Sequence, residues 1–507
     1  MNTSTDTTLA EEPPAAATPP RSSGISKHYL RYSGATVVMM ATGLVSFPIL
    51  TRLLDNTEYG ILGYYETWVL MIFAVIKLGG QHAVLRFYPF GGDAARLTHF
   101  ATNLVFLPLT VSAVLWTVGI AVFAGVSWWR GIAHSPVLWC ALLAIPLMVF
   151  ISQVQMTLRA SERSGLLTTT KVTARWVELA LVLTAVVLIQ RSALAVYAGR
   201  VITMLLLVGF YLHWVRRHLQ FSRQSLDPGA YRESLIYGLP LVANEIVGAA
   251  LASIDRLMLK HMLDDYAAVG IYTIGYALAM QLGVLVNGPF WDAFTPALNR
   301  AYTEHGEARV REMKARVLLP ATYACVGVAV GIWIAGSDVL QMLSGSAKAA
   351  SGEVFAWVGT MYAVMLLLDL SGYGLLLRKR TGMVLLLTVL ALSINVALNL
   401  VWIPRFGYMG AVYSTVLAYL VFGISRCLVC PPGMLQLPDR RTLLVSLGAA
   451  ALFLLMVDVC GMAEIQSHLT RAALAGVLWL ACYLLPVLAL DARLRGLILE
   501  RWPRARG

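Results

Sequence analysis

The sequence has 507 residues, of which 58% are hydrophobic and only 13% are charged, and its formal net charge at pH 7 is +12. A soluble domain carries about 25% charged residues, so this composition excludes a water-soluble protein and indicates one that lies in a bilayer. The basic residues lie between apolar runs rather than in one cluster, which argues against a nucleic-acid partner.

The first 28 residues contain Thr, Ser, Ala and Pro but no apolar run, so they are predicted to be a disordered tail rather than a signal peptide. Apolar runs long enough to cross a bilayer as helices follow. Fourteen spans are predicted, at 30–52, 59–80, 98–124, 135–157, 166–189, 193–214, 233–257, 268–290, 317–336, 354–377, 382–403, 408–426, 442–461 and 470–490. The longest connections are predicted near 215–231 and 292–316, and the outward-facing connections are short.

The connections on the side of the N-terminus carry most of the 39 Lys and Arg residues. The positive-inside rule therefore predicts that both termini lie in the cytoplasm, and an even number of spans agrees with that topology.

Two segments of the chain resemble each other at a spacing of about 210 residues. Segment 52–61 aligns with 262–271, and four aligned pairs are identical: Leu53/Leu263, Asp55/Asp265, Gly60/Gly270 and Ile61/Ile271. A second echo relates the basic segments 159–163 and 378–380. Since six spans separate the copies, both halves have the same orientation, and their pseudo-twofold axis runs along the membrane normal.

The predicted fold is therefore an all-α polytopic membrane protein of about 14 transmembrane helices. Two parallel six-helix bundles are followed by two extra C-terminal helices. The predicted limits are 1–28 for a cytoplasmic tail, 29–217 for the first bundle, 218–231 for a cytoplasmic linker, 232–430 for the second bundle, and 431–507 for the two extra helices with a basic cytoplasmic tail.

Ionisable residues inside the spans are the candidates for a functional site, because charge is costly in a bilayer unless it faces a bundle interior or water. Arg175 and Glu178 stand three residues apart and can pair on one helix face. Either the two charges neutralise each other and only allow the helix to insert into the membrane, or Glu178 orients Arg175 toward a cleft. Arg200 has no acid nearby in the sequence. Its counter-charge is a bound anion or a distant acid such as Glu66, unless it snorkels outward.

Three further acids are candidates in the second half. Glu245 and Arg256 are eleven residues apart and share one face of the seventh span. Asp255, beside Arg256, is interpreted as part of a structural hinge at the outer end of that helix. Asp369 is placed near the middle of the tenth span, where it is either a cation or proton site or a buried hydrogen-bonding group.

Other polar residues are interpreted as structural. Lys77, at the inner end of the second span, is expected to snorkel to the membrane surface. Asn395 and Asn399, four residues apart, are expected to join helices. Cys427 and Cys430 form a lone CxxC pair, which is interpreted as apolar packing rather than a metal or redox site.

Several motifs together resemble the polysaccharide transport family. They are Ser46–Leu54 with Glu58-Tyr-Gly60, Leu85–Tyr88, Ser253–Met258 with Val269–Tyr272, and Asn399 followed by Ile403–Ala411. This family, also known as Wzx-type oligosaccharide or O-antigen flippases, belongs to the multidrug/oligosaccharidyl-lipid/polysaccharide exporter superfamily. The resemblance covers about residues 29–430. Lys77 and the long N-terminal tail are not features expected of the family.

The resemblance implies a V-shaped pair of six-helix bundles in the bacterial inner membrane. Such a pair moves a polyprenyl-pyrophosphate-linked oligosaccharide to the outer leaflet by alternating access. The cargo would be a repeat unit of O-antigen, capsule or exopolysaccharide. It implies no catalytic residue, metal or cofactor. The implied partners are the lipid-linked oligosaccharide, membrane lipids, H⁺ or Na⁺ as a coupling ion, and the polysaccharide polymerase machinery.

A cationic cleft would shelter the pyrophosphate. The residues expected to bind it are Arg86, Arg175, Arg200 and Arg256. The residues expected to balance their charge or carry a coupling ion are Glu178, Glu245 and Asp369.

Three other functional classes remain open. A cation-coupled multidrug antiporter of the same superfamily would need acids at the midplane and fewer arginines. A membrane glycosyltransferase, polymerase or ligase would carry a sizeable outward-facing loop with catalytic groups, and the short outer connections disfavour that class. A scaffold protein would not need arginines in its spans.

Overall fold

A computed structural model describes residues 41–89, 91 and 93–501. The predicted tail and the start of the first span lie outside these residues. Every regular element in the described part is helical. The first bundle consists of α1 (Ala41–Leu53), α2 (Asn56–Ile76), α3 (Gly80–Arg86), α4 (Ala94–Phe100), α5 (Leu107–Trp129), α6 (Pro136–Ala160), α7 (Ser164–Leu188) and α8 (Ala193–His218).

A π-helical segment, Ala101–Phe106, joins α4 to α5. The second bundle consists of α9 (Pro228–Leu263), α10 (Tyr266–Ser344), α11 (Ser351–Gly372), α12 (Gly374–Leu377), α13 (Thr381–Phe406) and α14 (Tyr408–Val429). The C-terminal part consists of α15 (Arg440–Val459), α16 (His468–Leu478), α17 (Leu485–Leu490) and α18 (Ala492–Arg501).

In the described part of the chain, twelve helices are long and apolar enough to cross a membrane. Helix α7 is also 25 residues long, but Lys171, Arg175 and Glu178 interrupt its apolar sequence. Helix α1 begins at the edge of the described residues. With these two helices the architecture agrees with the predicted number of about 14 spans.

The helices alternate in direction, so their connections lie at two ends of the molecule. The basic end carries the connections at 161–163, 219–227, 378–380 and 430–439. The opposite end carries the connections at 54–55, 130–135, 189–192, 264–265 and 345–350.

The repeated segments begin two helices in the same way at the opposite end. Asp55 caps α2 by accepting a hydrogen bond from the backbone N–H of Glu58 at 2.7 Å. Asp265 caps α10 by accepting one from the N–H of Ala267, also at 2.7 Å. A carboxylate at this position satisfies an N–H group that has no partner within the helix. The identity of the two aspartates in the repeat therefore has a structural cause.

The two bundles touch through the paired glycines of the repeat. A Cβ atom on Gly60 would lie 1.8 Å from the carbonyl oxygen of Tyr266. A Cβ atom on Gly270 would lie 1.8 Å from the carbonyl oxygen of Asn56. The contact is reciprocal, because Asn56 and Tyr266 also correspond in the repeat. Such a self-complementary contact lies on the axis that relates the two bundles, and small residues permit this close approach.

The first helix of each bundle also packs on the other bundle. Phe47 of α1 belongs to the apolar core of the second bundle. At the start of α9, the backbone at Gly238 lies against Gly79 of the first bundle. Further along α9, Leu251 packs on Ala391 of the second bundle. The two bundles are therefore interlocked through α1 and α9.

The predicted loop at 292–316 is wrong, since these residues are helical. The element α10, Tyr266–Ser344, consists of two helices joined at Gly306, whose backbone is non-helical at φ 74° and ψ −162°. This backbone conformation favours glycine, which has no Cβ. The polar residues on both sides of Gly306 are helical, so the two helices continue beyond their apolar spans and end at Gly306.

Helix α9 begins at Pro228, within the predicted linker 218–231, so residues 219–227 connect α8 to α9. These residues are held on the first bundle by Asn103. Its side-chain amide donates to the carbonyl oxygen of Ser225 at 2.7 Å and accepts from the N–H of Asp227 at 2.8 Å. The connection between the bundles is therefore short and anchored.

The C-terminal helices pack on the second half of α10. Tyr483 donates a hydrogen bond to the carbonyl oxygen of Tyr323 at 2.7 Å, and Trp479 donates to that of Gly327 at 2.8 Å. A Cβ atom on Gly327 would lie 2.5 Å from the ring of Tyr483. The extra helices are thus attached to the second bundle.

Candidate functional site

Four charged residues of the first bundle form a connected group, which we call the central cluster: Glu66, Arg175, Glu178 and Arg200. The Arg175 guanidinium donates to both carboxylate oxygens of Glu178 at 3.1 Å. Arg200 lies 3.4 Å from Glu178 and 3.7 Å from Glu66. The distant acid Glu66 is therefore one counter-charge of Arg200, and Glu178 is the other.

Helix α9 brings Arg256 of the second bundle beside the central cluster. Its guanidinium carbon lies 5.4 Å from the centre of the Tyr276 ring. Tyr59 interacts electrostatically with Glu66, Arg200 and Arg256, which places both arginines near the same tyrosine. Among the described residues, the Nε atom of Arg256 makes no hydrogen bond, and no carboxylate pairs with the side chain.

Three guanidinium groups, those of Arg175, Arg200 and Arg256, lie beside only two carboxylates with which an arginine pairs, those of Glu66 and Glu178. The carboxylate of Asp255, next to Arg256, is buried and accepts hydrogen bonds from three other helices instead. The side chains of the central cluster remain between 24% and 46% exposed, so an incoming group can reach them. The arrangement is suited to binding an anion with the geometry of a phosphate, which guanidinium groups contact through two parallel N–H donors.

A second group of polar residues joins the bundles nearer the basic end. We call it the interface cluster: Lys77, Gln81 and His82 of the first bundle with Glu245 of α9. The Lys77 ammonium lies 2.5 Å from the Glu245 carboxylate, His82 Nε2 lies 3.1 Å from it, and the Gln81 amide donates to it at 3.0 Å. The expectation that Lys77 snorkels to the membrane surface is wrong, because its ammonium binds this acid.

One sequence signal could have indicated the interface cluster. Gly79 and Gly80 interrupt the apolar helix pattern between Lys77 and Gln81, and the structure separates α2 from α3 there, with Gly79 at φ 71°. This break turns the side chains on both sides of it toward α9.

Glu245 and Arg256 share a face of α9 but do not interact. Eleven residues of helix separate them by about 16 Å. Glu245 binds the interface cluster, whereas Arg256 lies beside Tyr276. The helix therefore links the interface cluster and the central cluster at different depths.

The interpretation of Asp255 as a hinge at the helix end is wrong. The residue is fully buried, and α9 continues to Leu263. Its carboxylate accepts hydrogen bonds from Tyr272 at 2.7 Å, Asn399 at 2.6 Å and Thr415 at 2.8 Å. Asp255 thus joins α9 to three other helices, and the prediction that Asn399 joins helices is confirmed.

Asp369 lies near the end of α11, which ends at Gly372. Its carboxylate is bound by the guanidinium of Arg426, a residue only 7% exposed. Lys314 is also buried nearby, and its ammonium donates to the carbonyl oxygens of Ser371 and Met434 at 2.9 and 2.8 Å. No feature of the sequence indicated that Arg426 or Lys314 is buried.

Arg86 lies away from the central cluster. It is the last residue of α3, and its exposed guanidinium stacks on Tyr237 of α9, 4.7 Å from the ring centre. The structure therefore brings together Arg175 and Arg200, with Arg256 close to them, but places Arg86 at the basic end.

A cavity of about 590 Å³ lies between α2, α5 and α6. Aromatic and aliphatic side chains line it, among them Trp68, Trp116 and Phe123. Such a lining suits an apolar chain rather than a phosphate, because it offers little to replace the water around a charge. The charged clusters are therefore the better candidates for a headgroup site.

Comparison with known proteins assigns the family. Residues 27–302 match the family model described as "Polysaccharide biosynthesis protein". The chain belongs to this family. The match covers the first bundle and the start of the second, and it confirms the resemblance seen in the motifs. A protein of the Lsg locus of Haemophilus influenzae is 24% identical over 354 residues, which cover 65% of this chain and 77% of that protein.

Two solved structures share the fold of this member of the polysaccharide family. The lipid II flippase MurJ, in an inward closed conformation, has a TM-score of 0.68 at 10% identity and covers 89% of this chain and 97% of its own. An inward-facing multidrug resistance transporter of the MATE family has a TM-score of 0.58 at 16% identity, with coverage of 78% and 96%. At these identities the likeness concerns the fold alone.

Proposed function

We propose that this protein is a flippase that carries a polyprenyl-pyrophosphate-linked oligosaccharide across the bacterial inner membrane. The observation that carries the proposal is the excess of guanidinium groups where the bundles meet. A pyrophosphate cannot enter hydrocarbon alone, since an unpaired charge there is very costly. Arg175, Arg200 and Arg256 offer it paired N–H donors in a protected place. The cargo is a repeat unit of O-antigen, capsule or exopolysaccharide.

The two carboxylates of the central cluster have a role in the empty protein. Glu178 and Glu66 hold the Arg200 guanidinium in place without a substrate. When a diphosphate arrives, the arginines can replace some of their bonds to these carboxylates with bonds to the phosphate oxygens. The carboxylates then become free to accept H⁺ or bind Na⁺, which makes Glu178 our first candidate for coupling.

Alternating access requires that contacts at the two ends break in turn. At the opposite end, the Arg52 guanidinium donates to the carbonyl oxygen of Leu343 at 2.8 Å, and the Lys348 ammonium donates to the side chain of Asn56 at 2.8 Å. At the basic end, the interface cluster joins the bundles. We propose that 29–217 and 232–430 rock as two bodies, with the basic end and both termini in the cytoplasm.

The test is transport by arginine variants. We expect Arg175→Ala and Arg200→Ala each to slow translocation of a labelled lipid-linked oligosaccharide in reconstituted vesicles by about tenfold or more, since each removes a charge-assisted hydrogen bond. Membrane abundance should not change. Arg130→Ala, at an exposed connection, is the matched control. Normal transport by both single variants and by the double variant would exclude these residues from the substrate path.

The fold shared with MATE-family transporters supports a second candidate, a cation-coupled multidrug antiporter. The excess positive charge around Arg200 and Arg256 would repel a cationic drug. A parallel assay with a cationic dye separates the two functions. Transport of the dye without transport of the lipid-linked sugar would favour the antiporter.

A further inference from the structure

The interface cluster has the composition of an anion site. Lys77, Gln81 and His82 all direct N–H donors at one point, and that point is occupied by the Glu245 carboxylate. The donors belong to the first bundle, whereas the carboxylate belongs to α9. The anion held here is therefore supplied by another part of the same chain.

The donors are arranged independently of Glu245. The side-chain oxygen of Gln81 accepts a hydrogen bond from Ser152 at 3.3 Å, which turns the Gln81 amide group toward the carboxylate. Lys77 also lies 4.8 Å from the centre of the Phe73 ring. The exposed fractions of Lys77, His82 and Glu245 are 11%, 28% and 31%, so the cluster is partly accessible.

The interface cluster also holds the bundles together near the basic end. Beside it, Gly79 and Gly238 bring their backbones into close contact, but neither contributes a side chain that could hold the other. The bonds from Glu245 to Lys77 and His82 therefore supply a directional attachment at this level. If that carboxylate is released, the start of α9 loses this attachment to the first bundle.

We propose that Lys77, Gln81 and His82 form an anion-binding site that the Glu245 carboxylate fills in the empty protein, and that the diphosphate of an incoming lipid displaces Glu245 and releases the bundles at the basic end. The inference rests on the proposed function. A diphosphate carries more negative charge than one carboxylate and more oxygen acceptors, so it can replace Glu245 on the same donors. The replacement of Glu245 by the diphosphate then both binds the substrate and opens the basic end.

The experiment measures the separation of the bundles in the full-length protein in lipid nanodiscs. Spin labels are placed at Arg159→Cys and Arg380→Cys, exposed positions at the basic end that belong to the repeated basic segments. The three cysteines that are not buried, Cys140, Cys460 and Cys482, are replaced first. The distance is measured without ligand, with inorganic pyrophosphate, and with farnesyl diphosphate in the bilayer.

We expect farnesyl diphosphate to lengthen the distance between the labels. Glu245→Gln should lengthen it without ligand and lower the half-maximal diphosphate concentration roughly tenfold, because binding no longer has to displace an internal anion. Lys77→Met with His82→Phe should abolish the response to diphosphate. Glu233→Gln, an exposed acid on the same helix, is the matched control and should behave like the unmodified protein.

The two ligands distinguish the source of the diphosphate. A response to farnesyl diphosphate, with or without a response to inorganic pyrophosphate, supports a lipid-linked ligand, whereas a response to inorganic pyrophosphate alone overturns that assignment. An unchanged distance in the unmodified protein, or a normal response in either cluster variant, overturns the anion site. If the diphosphates separate the bundles but no labelled oligosaccharide is transported, the proposed function fails and the anion site stands.

Discussion

Most of the charged residues inside this membrane protein are held by a partner of opposite charge on another helix or another turn. Arg200 contacts Glu66 and Glu178, Arg426 contacts Asp369, and Lys77 contacts Glu245. Arg256 differs, since no described carboxylate pairs with it. At the scale of single residues, Arg256 is therefore the side chain most available to a new anion.

Asp255 gives a prediction at this scale. Asp255→Ala leaves buried donors on Tyr272, Asn399 and Thr415 without their acceptor. We expect a loss of about 1–3 kcal/mol in the free energy of unfolding, measured by thermal or denaturant unfolding in detergent. Asp458→Ala, at an exposed acid near the end of α15, should leave the melting temperature unchanged. Equal melting temperatures for the two variants would show that the Asp255 network does not stabilise the fold.

Hydropathy predicts the helices where they cross the membrane, but it does not predict where they end outside the membrane. Residues 292–316 are polar enough to predict a loop, yet they continue α10 as helix on both sides of Gly306. Hydropathy reports which residues face lipid, and a helix does not have to end where it enters water. Helix α7, predicted as the span 166–189, is a 25-residue helix even though Lys171, Arg175 and Glu178 interrupt its apolar sequence.

The junction between α17 and α18 gives a prediction at the scale of elements. Burial opposes ionisation of Asp491, but hydrogen bonds from Arg493 and Tyr323 outweigh it and lower the pKa of Asp491 to about 2. An acid whose pKa is lower in the folded state stabilises that state above its unfolded pKa of about 3.9, and this contribution disappears as the pH falls through the folded value.

We therefore expect Asp491→Asn to melt at a lower temperature than the unmodified protein at pH 6. This gap between the two melting temperatures should close between about pH 4 and pH 2. Melting curves over this range measure it. Asp458→Asn, an exposed acid near the end of α15, should show no gap that depends on pH in this way. A gap for Asp491→Asn that stays constant down to pH 2 would contradict the assigned cause.

At the scale of the whole molecule, two bundles meet at a symmetric contact and are interlocked by α1 and α9. The Gly60–Gly270 contact lies at the opposite end, and the interface cluster lies nearer the basic end. A transporter that opens to one side at a time needs such separable contacts. The Gly60–Gly270 contact depends on the close fit of two backbones, whereas the interface cluster depends on the attraction between opposite charges.

The glycine contact can be tested directly. Gly60→Ala and Gly270→Ala each place a methyl group against backbone, which cannot rotate away as a side chain can. We expect each variant to force the bundles apart at the opposite end, lower the melting temperature and slow transport of the lipid-linked sugar about tenfold or more. Gly209→Ala, with open space around its Cβ position, is the control. Unimpaired stability and transport in both variants would contradict a fixed contact at the axis.

The sequence alone determined the class of protein, the number of spans and the parallel repeat. These follow from local properties, because a bilayer imposes one length of apolar helix and because Asp55/Asp265 and Gly60/Gly270 occupy equivalent helix starts. It also predicted the Arg175–Glu178 pair, since three residues bring two side chains to one helix face.

Only the tertiary structure decided which distant charges meet. Lys77 and Glu245, or Asp369 and Arg426, lie far apart in the chain, and their pairing depends on how each helix is rotated and how deeply it sits against its neighbours. Hydropathy predicts neither the rotation nor the depth of a helix, because apolar side chains on any face of the helix contribute equally to its mean hydropathy. The separation into a central cluster and an interface cluster was therefore a consequence of packing, which joins residues from different helices at one depth.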